Sequence, residues 1–456
     1  MPTFIRNLNF VAAFTTLFAI AGWTPIANAQ FKAIAGWDNQ LFPSFVLSTA
    51  SSEVPESQRN ENILGDQRGV LGIEIEAIDD EAEIEVTVSG EPYFQTSQFK
   101  GKLPKAGETY RVLPIIRYDY RQLSENRQAI PVTVSFDVTV NGEAFDSQTK
   151  KMIVRSINDC PFVRIEGEYA YEMPANYAAY VNEQHPYVDK LLREALDIGI
   201  VESFEGYLNN DPNRAIREVY ALWDLMVARD TRYSNITTTV KEVDSVGSQH
   251  IRLLEETINN NQANCVDGSV LFVSALRKIG IDAWLALEPG HCYMMFWTDR
   301  EHNAFIALET TCMGDNDAEL LDEVPEYLLD SVPENWRGNY SWASFVEAVL
   351  VGTDNLSTHE KEFVEGKTHR LIDVESARTA GILPIPFRGD DYFQAYDYSE
   401  YTAENFRDWA EAADEEADMS TETADDEQIA DVDEDDNDDA WQDDEEVEAI
   451  DESISE

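Results

Sequence analysis

Residues 264–297, NCVDGSVLFVSALRKIGIDAWLALEPGHCYMMFW, decide the fold, because a helical pattern gives way there to two strand patterns. Apolar residues recur every three or four positions in the first half, which predicts an amphipathic helix that begins near Cys265. Gly280 ends that helix, since glycine readily adopts the left-handed conformation that follows a last helical turn. Two strand-like runs follow, DAWLALEP and GHCYMMFW. The helix residues predicted to face inward are Val270, Leu271, Val273 and Leu276.

The flanking sequence extends this pattern in both directions. Upstream, Asp211 followed by proline is a helix start, with Asp as the N-cap and proline in the first turn. A second helix is predicted from about Ser245 to Ile258. Downstream, the polar turn TDREHN joins the second strand to a third, NAFIALETT. Helices followed by an antiparallel sheet predict an α+β domain over residues 159–395, with its core at 211–314.

Residues 30–158 show a different periodicity. Apolar and acidic residues alternate in GIEIEAI and AEIEVTVSG, and Asn141-Gly142 is a hairpin turn between two alternating runs. Strands without helices between them predict an all-β, Ig-like sandwich. We interpret the alternating glutamates as a solvated sheet face and not as a cation site. They are Glu74, Glu76, Glu83 and Glu85.

The first 29 residues are predicted to be a secretory signal peptide. Arg6 precedes an apolar run at 10–23, and the Ala-Asn-Ala at 27–29 forms an A-x-A cleavage site. The run is shorter than the roughly 20 residues that a membrane-spanning helix needs. The mature chain is therefore expected to be exported, to the periplasm or the medium, with no membrane span.

The composition restricts the partners. The 456 residues hold 33 Lys and Arg against 88 Asp and Glu, a formal net charge of −55. That excess opposes nucleic-acid binding, because phosphate contacts need cationic side chains. Residues 396–456 are predicted to be a disordered acidic tail, since self-repulsion opposes compaction. Within it, DVDEDDNDD lacks the glycine and the terminal glutamate of a calcium loop. We expect neither a metal nor a cofactor.

The four cysteines are too few for a disulfide-built scaffold, so folding is expected to depend on burial. One bridge among Cys160, Cys292 and Cys312 is compatible with a free Cys265. The predicted position of Cys265 at a helix N-terminus favours its thiolate, because unpaired N–H groups and the helix dipole stabilise negative charge there. The same N–H groups could hold an oxyanion.

A nucleophilic thiol also needs a base and a residue that orients the base. His291 opens a strand directly after Gly290 and is the candidate base. Folding the last two strands about a turn centred near Arg300 puts Glu309 opposite His291, with both side chains on one face of the sheet. Cys265, His291 and Glu309 are therefore a candidate triad of nucleophile, base and orienting acid.

Two other interpretations stay open from the residues alone. A cysteine in an apolar helix is often only a core residue, and a strand histidine is often only a hydrogen-bonded one. A zinc site could use Cys265, His291, Cys292 and Cys312. The chain has no close C-x-x-C or H-x-x-x-H pair, and the adjacent His291 and Cys292 point to opposite strand faces, so this spacing does not favour zinc.

Residues 264–297, followed by ALETT, resemble the bacterial branch of the transglutaminase-like, papain-related superfamily. In that family a Cys heads a helix, a His opens a strand and an acidic residue, usually Asp, lies on the next strand. The resemblance covers about residues 211–314. It implies that Cys265 is the nucleophile, His291 the general base and acid, and Glu309 the orienting acid.

The oxyanion donors expected at such a site are the Cys265 N–H and a side-chain amide. Gln249 is the first candidate for that amide, with Gln262 and Asn264 as alternatives. The sequence thus predicts an exported cysteine-dependent acyl-transfer enzyme that hydrolyses an amide bond in a peptide or protein substrate. The alternative is a binding or scaffold protein of the cell envelope with the same fold and weak or no activity.

Overall fold

The computed structural model describes residues 30–234, 245–314, 324–337, 340–387, 389 and 392–398. The described chain is a mixed α+β protein with several sheets. The predicted signal peptide and the predicted acidic tail beyond Tyr398 lie outside these residues. Within the described ranges, no helix is both long and apolar enough to cross a membrane.

The strands and helices alternate irregularly along the chain. The strands are β1 (Lys32–Ala35), β2 (Gln40–Leu41), β3 (Ile63–Gly65), β4 (Leu71–Glu76), β5 (Ala82–Gly90), β6 (Phe94–Leu103), β7 (Thr109–Leu113), β8 (Arg117–Tyr118), β9 (Ile130–Val140), β10 (Glu143–Val154), β11 (Asp159–Glu166), β12 (Tyr169–Glu172), β13 (Arg232–Tyr233), β14 (Val246–His250), β15 (Gln262–Ala263), β16 (Ala283–Glu288), β17 (His291–Trp297), β18 (Phe305–Leu308) and β19 (Arg370–Ile372). The α-helices are α1 (Pro43–Ser48), α2 (Tyr120–Glu125), α3 (Pro186–Ile198), α4 (Pro212–Ala228), α5 (Leu254–Asn260), α6 (Cys265–Lys278), α7 (Glu326–Ser331), α8 (Tyr340–Thr358), α9 (Glu360–Glu365) and α10 (Val374–Thr379).

The first half of the described chain forms two sheets, as its period-two pattern predicts. Their strand orders are β1-β4-β7-β3 and β2-β10-β9-β5-β6-β8. The hairpin turn is confirmed, because Asn141 and Gly142 both have positive φ and join Val140 directly to Glu143. The expectation of antiparallel strands without helices is wrong in two respects. The pairs β2·β10 and β3·β7 are parallel, and the short helices α1 and α2 lie within this region.

The glutamates of this region lie on a solvated sheet face, as predicted. Glu85 lies opposite Lys100 on β6, with a carboxylate-to-ammonium distance of 2.9 Å. Glu74 contacts Arg111 of β7 at 3.3 Å. Glu74 and Glu85 are thus each balanced across the strands by a cationic neighbour.

The helix predicted to start at Asp211 is confirmed, and the helix predicted to start at Ser245 is wrong in its first half. Asp211 is the N-cap of α4, and its carboxylate accepts the N–H of Asn213 at 3.1 Å. The residues after Ser245 form β14, which pairs with β11, and the helix α5 begins only at Leu254. The partner strand lies far away in the sequence, so its hydrogen bonds outweigh a local helical preference.

The second half is organised around a four-stranded antiparallel sheet of order β18-β17-β16-β19. The helix α6 packs against β16 and β17, and α8 packs against β18. The backbone of α8 approaches β18 most closely at Gly352, where a Cβ would lie 2.9 Å from Leu308 N. All four inward-facing residues predicted for α6 are buried.

The two halves are connected by hydrogen bonds and belong to one compact unit. Ser44 of α1 donates to the carbonyl of Asp159, and Leu383 N donates to the carbonyl of Ser48. Residues 396–398, predicted to open the tail, instead pack against α3. There the Tyr396 N–H lies 3.2 Å from Glu194 Oε1.

Candidate active site

Cys265 is the first residue of α6, as predicted, and its neighbours form a capping box. The side-chain oxygen of Asn264 accepts the N–H groups of Val266 and Asp267, each at 2.9 Å. The carboxylate of Asp267 accepts the Asn264 N–H in return, at 3.0 Å. Among the described residues, the Cys265 N–H has no hydrogen-bond acceptor. The cap therefore leaves one N–H of the first turn available beside the thiol.

The side chain of Asp267 stabilises this first turn of α6, and the sequence did not single it out. Its side chain is fully buried and forms an ion pair with Arg252 at 2.7 Å, and it also accepts the Arg252 N–H at 2.8 Å. Burial raises the pKa of Asp267, while the bonds from Asn264 and Arg252 favour its charged form. The signal was present in the sequence as N-x-x-D at a helix start.

His291 opens β17 and connects the thiol to the acid. Its Nε2 lies 2.6 Å from Oε2 of Glu309, and the imidazole also hydrogen bonds to the side chain of Cys265. Since Nε2 faces the carboxylate, Nδ1 is the ring nitrogen left for the thiol. The hydrogen bond with Cys265, followed by that with Glu309, raises the pKa of His291 to about 10. The imidazole is therefore cationic at neutral pH.

Glu309 is held in position by burial and by several hydrogen bonds. It is 2 % exposed, and its Oε1 accepts both the N–H of Thr311 at 3.0 Å and the hydroxyl of Thr311 at 2.7 Å. Its own N–H donates to the carbonyl of Ala348 on α8 at 2.9 Å. Thr311 was missed by sequence reasoning, although glutamate two residues before threonine fits the N-cap of a short helix.

The predicted strand register is wrong by two residues, but the predicted face is right. Met294 pairs with Leu308, which places Glu309 level with Tyr293 rather than with His291. The loop is longer than predicted because the carboxylate of Asp299 accepts the N–H groups of residues 303 and 304. A shift of two residues keeps both side chains on one face, and the length of glutamate spans the diagonal.

The segment after Glu309 is attached directly to the first turn of α6. Thr310 Oγ1 donates to the Cys265 carbonyl at 3.3 Å and lies 3.3 Å from the hydroxyl of Ser269. Gly268 allows this approach, because a Cβ at that position would lie 2.9 Å from Thr310 Oγ1. These contacts fix the distance between the nucleophile and the acid. No local sequence pattern predicts them.

The structure uses the three candidate oxyanion amides in different ways. Gln249 lies on β14 opposite Cys160, and its side-chain amide donates to the carbonyl of His250 at 3.0 Å. Gln262 is exposed on β15, and the side-chain oxygen of Asn264 caps α6. The Cys265 N–H is the donor that the geometry supports best.

The other three cysteines contribute neither a disulfide nor a metal ligand set. None of the four cysteines forms a disulfide, and burial raises the pKa of Cys160 and of Cys292 well above the usual thiol value. In the described part of the chain, the residues whose ligand atoms converge are Glu288, His359 and His369. These three were not singled out in the sequence, since they lie on separate elements.

Two tyrosines lie near enough to Cys265 for its charge to affect their pKa. Tyr177 is buried, and its pKa is raised well above the usual value by that burial and by the nearby thiols of Cys160, Cys292 and Cys265. Tyr233 is 43 % exposed, and its pKa is raised by partial burial and then by the negative charges of Cys265 and Glu309. Tyr233 therefore offers an aromatic surface to solvent beside the thiol.

In comparisons with known proteins, the chain matches no family model, no curated protein and no solved structure.

Proposed function

We propose that this protein is an exported cysteine-dependent acyl-transfer enzyme of transglutaminase-like type that hydrolyses an amide bond in a peptide or protein. The supporting observation is the hydrogen-bonded chain from Cys265 through His291 to Glu309. In this chain a thiol at a helix N-terminus contacts an imidazole whose other nitrogen contacts a buried carboxylate. The arrangement supplies a nucleophile, a proton carrier and an orienting acid in the order that acyl transfer requires.

The reaction proceeds in two halves. The Cys265 thiolate attacks the amide carbonyl carbon, and the developing oxyanion accepts the Cys265 N–H. The His291 imidazolium gives its proton to the leaving amine as the C–N bond breaks, which leaves a thioester and a neutral imidazole. Water then attacks the thioester while His291 takes a proton from it. Release of the carboxylic acid restores the thiolate and imidazolium.

Glu309 keeps the orientation of His291 constant through both halves. Its carboxylate stays hydrogen bonded to Nε2 while the imidazole alternates between charged and neutral forms. Peptide substrate is expected to lie along the Tyr233 side of the thiol, because aromatic surface there is exposed. Hydrolysis is proposed over cross-linking because the residues that the structure describes show no feature that would bind a second amine substrate.

The test is cysteine reactivity in the mature full-length chain. Cys265 is expected to react with iodoacetamide at neutral pH at least about 10-fold faster than Cys312, a matched control of similar exposure. Mass spectrometry of each cysteine peptide gives both rates. His291→Ala is expected to remove the difference and to reduce hydrolysis of a quenched-fluorescence peptide library by roughly 100-fold to 10,000-fold.

The scaffold alternative makes the opposite prediction. Cys265 would then alkylate no faster than Cys312, and Cys265→Ala would leave the cellular phenotype unchanged. Either result contradicts the enzymatic proposal. A primary amine added to the assay separates hydrolysis from transfer, because transfer would give an amide in place of the acid.

A further inference from the structure

A second group of chemically active side chains lies outside the triad. Glu288 ends β16, His359 lies between α8 and α9, and His369 directly precedes β19. Each offers one potential ligand atom, and the three atoms lie within 4.8 Å of one another. The tertiary structure alone brings them together.

Each member of this group is oriented by a further hydrogen-bond partner. His359 Nδ1 lies 3.1 Å from the carbonyl of Asn355, and His369 Nδ1 lies 3.0 Å from the hydroxyl of Thr368. The hydroxyl of Tyr293 donates to Oε1 of Glu288 at 2.9 Å. Partners of this kind fix ring and carboxylate orientation around bound metals.

The two imidazoles face each other with the carboxylate alongside. Their ring centroids are 4.8 Å apart, and the ring planes differ by 29°. Around a tetrahedral zinc with bonds of about 2.0 to 2.1 Å, neighbouring ligand atoms lie about 3.3 to 3.4 Å apart. The three potential ligand atoms lie within 4.8 Å of one another, so small side-chain rotations would bring them to this spacing.

We propose that Glu288, His359 and His369 bind a first-row transition-metal cation, with Zn²⁺ as the expected ion. Two imidazoles and one carboxylate suit zinc, whereas calcium and magnesium prefer sites made entirely of oxygen. Three protein ligands leave a fourth coordination position for water. The site does not depend on the proposed enzymatic function, because none of its ligands belongs to the triad.

The ion would connect elements that also carry the triad. Glu288 pairs with His291 across the β16–β17 hairpin, and the rings of Tyr293 and His291 are 5.9 Å apart. His359 follows α8, the helix whose Ala348 carbonyl accepts the Glu309 N–H. Bound metal would therefore hold the hairpin against the end of α8 and stabilise the position of His291.

Metal binding should be measured in the full chain carrying Cys265→Ser, so that the thiol cannot bind the added ion. The protein is stripped with a chelator and titrated with Co²⁺, whose visible absorption reports tetrahedral coordination. Zn²⁺ affinity is then measured by competition with a chromogenic chelator. We expect one tight equivalent with a tetrahedral spectrum, unaffected by excess Ca²⁺.

Two ligand variants and one matched control locate the site. His359→Gln and Glu288→Gln are each expected to weaken Zn²⁺ binding by about 100-fold or more. His302→Gln removes a histidine of similar exposure, 38 % against 37 %, that pairs with Asp282 outside the group. This control is expected to bind zinc as the parent does. The acidic tail is present in every variant, so any weak zinc binding by the tail contributes equally and does not affect the comparison.

Equal zinc affinity in the parent and in either folded ligand variant would overturn the proposal, as would a parent that binds no tight equivalent. Thermal melts without metal identify which variants are folded, and the use of two ligands keeps the test decisive if one variant is unstable. Since the triad thiol is absent throughout, failure here leaves the alkylation test of Cys265 unaffected.

Discussion

Glu85 on the first-half sheet and Glu309 beside the thiol differ in their surroundings and therefore in their chemistry. Glu85 contacts the largely exposed Lys100 at 2.9 Å, where solvent screens the pair. Glu309 is almost completely buried, with its two oxygens bound to His291 and Thr311. Together with the hydrogen bond from Cys265, the buried Glu309 raises the pKa of His291, whereas the partly exposed Glu85 lies on the solvated face of a sheet. Burial and fixed partners, not residue type, make the difference.

The strongest test of this comparison is Glu309→Asp. The shorter side chain keeps the charge but moves the carboxylate away from His291 Nε2 by about one bond length. Misplacement of that size costs about 100-fold in rate, so peptide hydrolysis should fall by that factor. The pKa of His291, followed by NMR, should fall from about 10 towards its usual value of 6.5.

Glu85→Asp is the matched control for that change and should leave hydrolysis and the His291 pKa as they are. An unchanged rate in Glu309→Asp would mean that the buried carboxylate does not orient the base.

The next effect is the pH dependence of stability. His291 binds its proton more tightly in the folded chain, with a pKa of about 10 against 6.5 for an ordinary histidine. Its contribution to the free energy of unfolding is therefore complete below about pH 6.5 and is lost as the pH rises through about 10. The free energies of unfolding of wild type and of His291→Gln, measured in urea with a chelator present, should converge over that pH interval. A constant difference between them would contradict the raised pKa.

The contact between α6 and Thr310 gives a smaller effect. Gly268→Ala places a Cβ 2.9 Å from Thr310 Oγ1 and 3.0 Å from Thr310 Cβ. Overpacking of this kind costs about 1 to 3 kcal/mol in the free energy of unfolding. Thr310→Ala in the same chain removes the opposing hydroxyl and should recover part of that loss. If the losses in the free energy of unfolding are additive in the double mutant, residues 268 and 310 are not in steric conflict.

The smallest effect is expected on the exposed sheet. Glu85→Gln removes the charge that faces Lys100, and such surface pairs contribute about 0 to 1 kcal/mol. The melting temperature should change little, and this small change should disappear at high salt. A loss comparable to that of Gly268→Ala would mean that the exposed glutamates do more than solvate the sheet.

Features decided by near neighbours could be predicted from the sequence. Cys265 at the start of α6, Asp211 as the cap of α4 and the Asn141-Gly142 turn all depend on residues within a few positions. The face shared by His291 and Glu309 was also predictable, because a strand alternates with period two. Their register was not, because it depends on how Asp299 closes the loop.

The sequence by itself determined which residues could carry chemistry: a thiol at a helix start, an imidazole at a strand start and an acid on the following strand. Only the tertiary structure decided how they meet. Thr310 contacts α6 across the packing allowed by Gly268, β14 pairs with a distant strand, and His359 and His369 converge on Glu288. Caps and turns depend on local hydrogen bonds, whereas these contacts depend on packing between elements that are far apart in the chain.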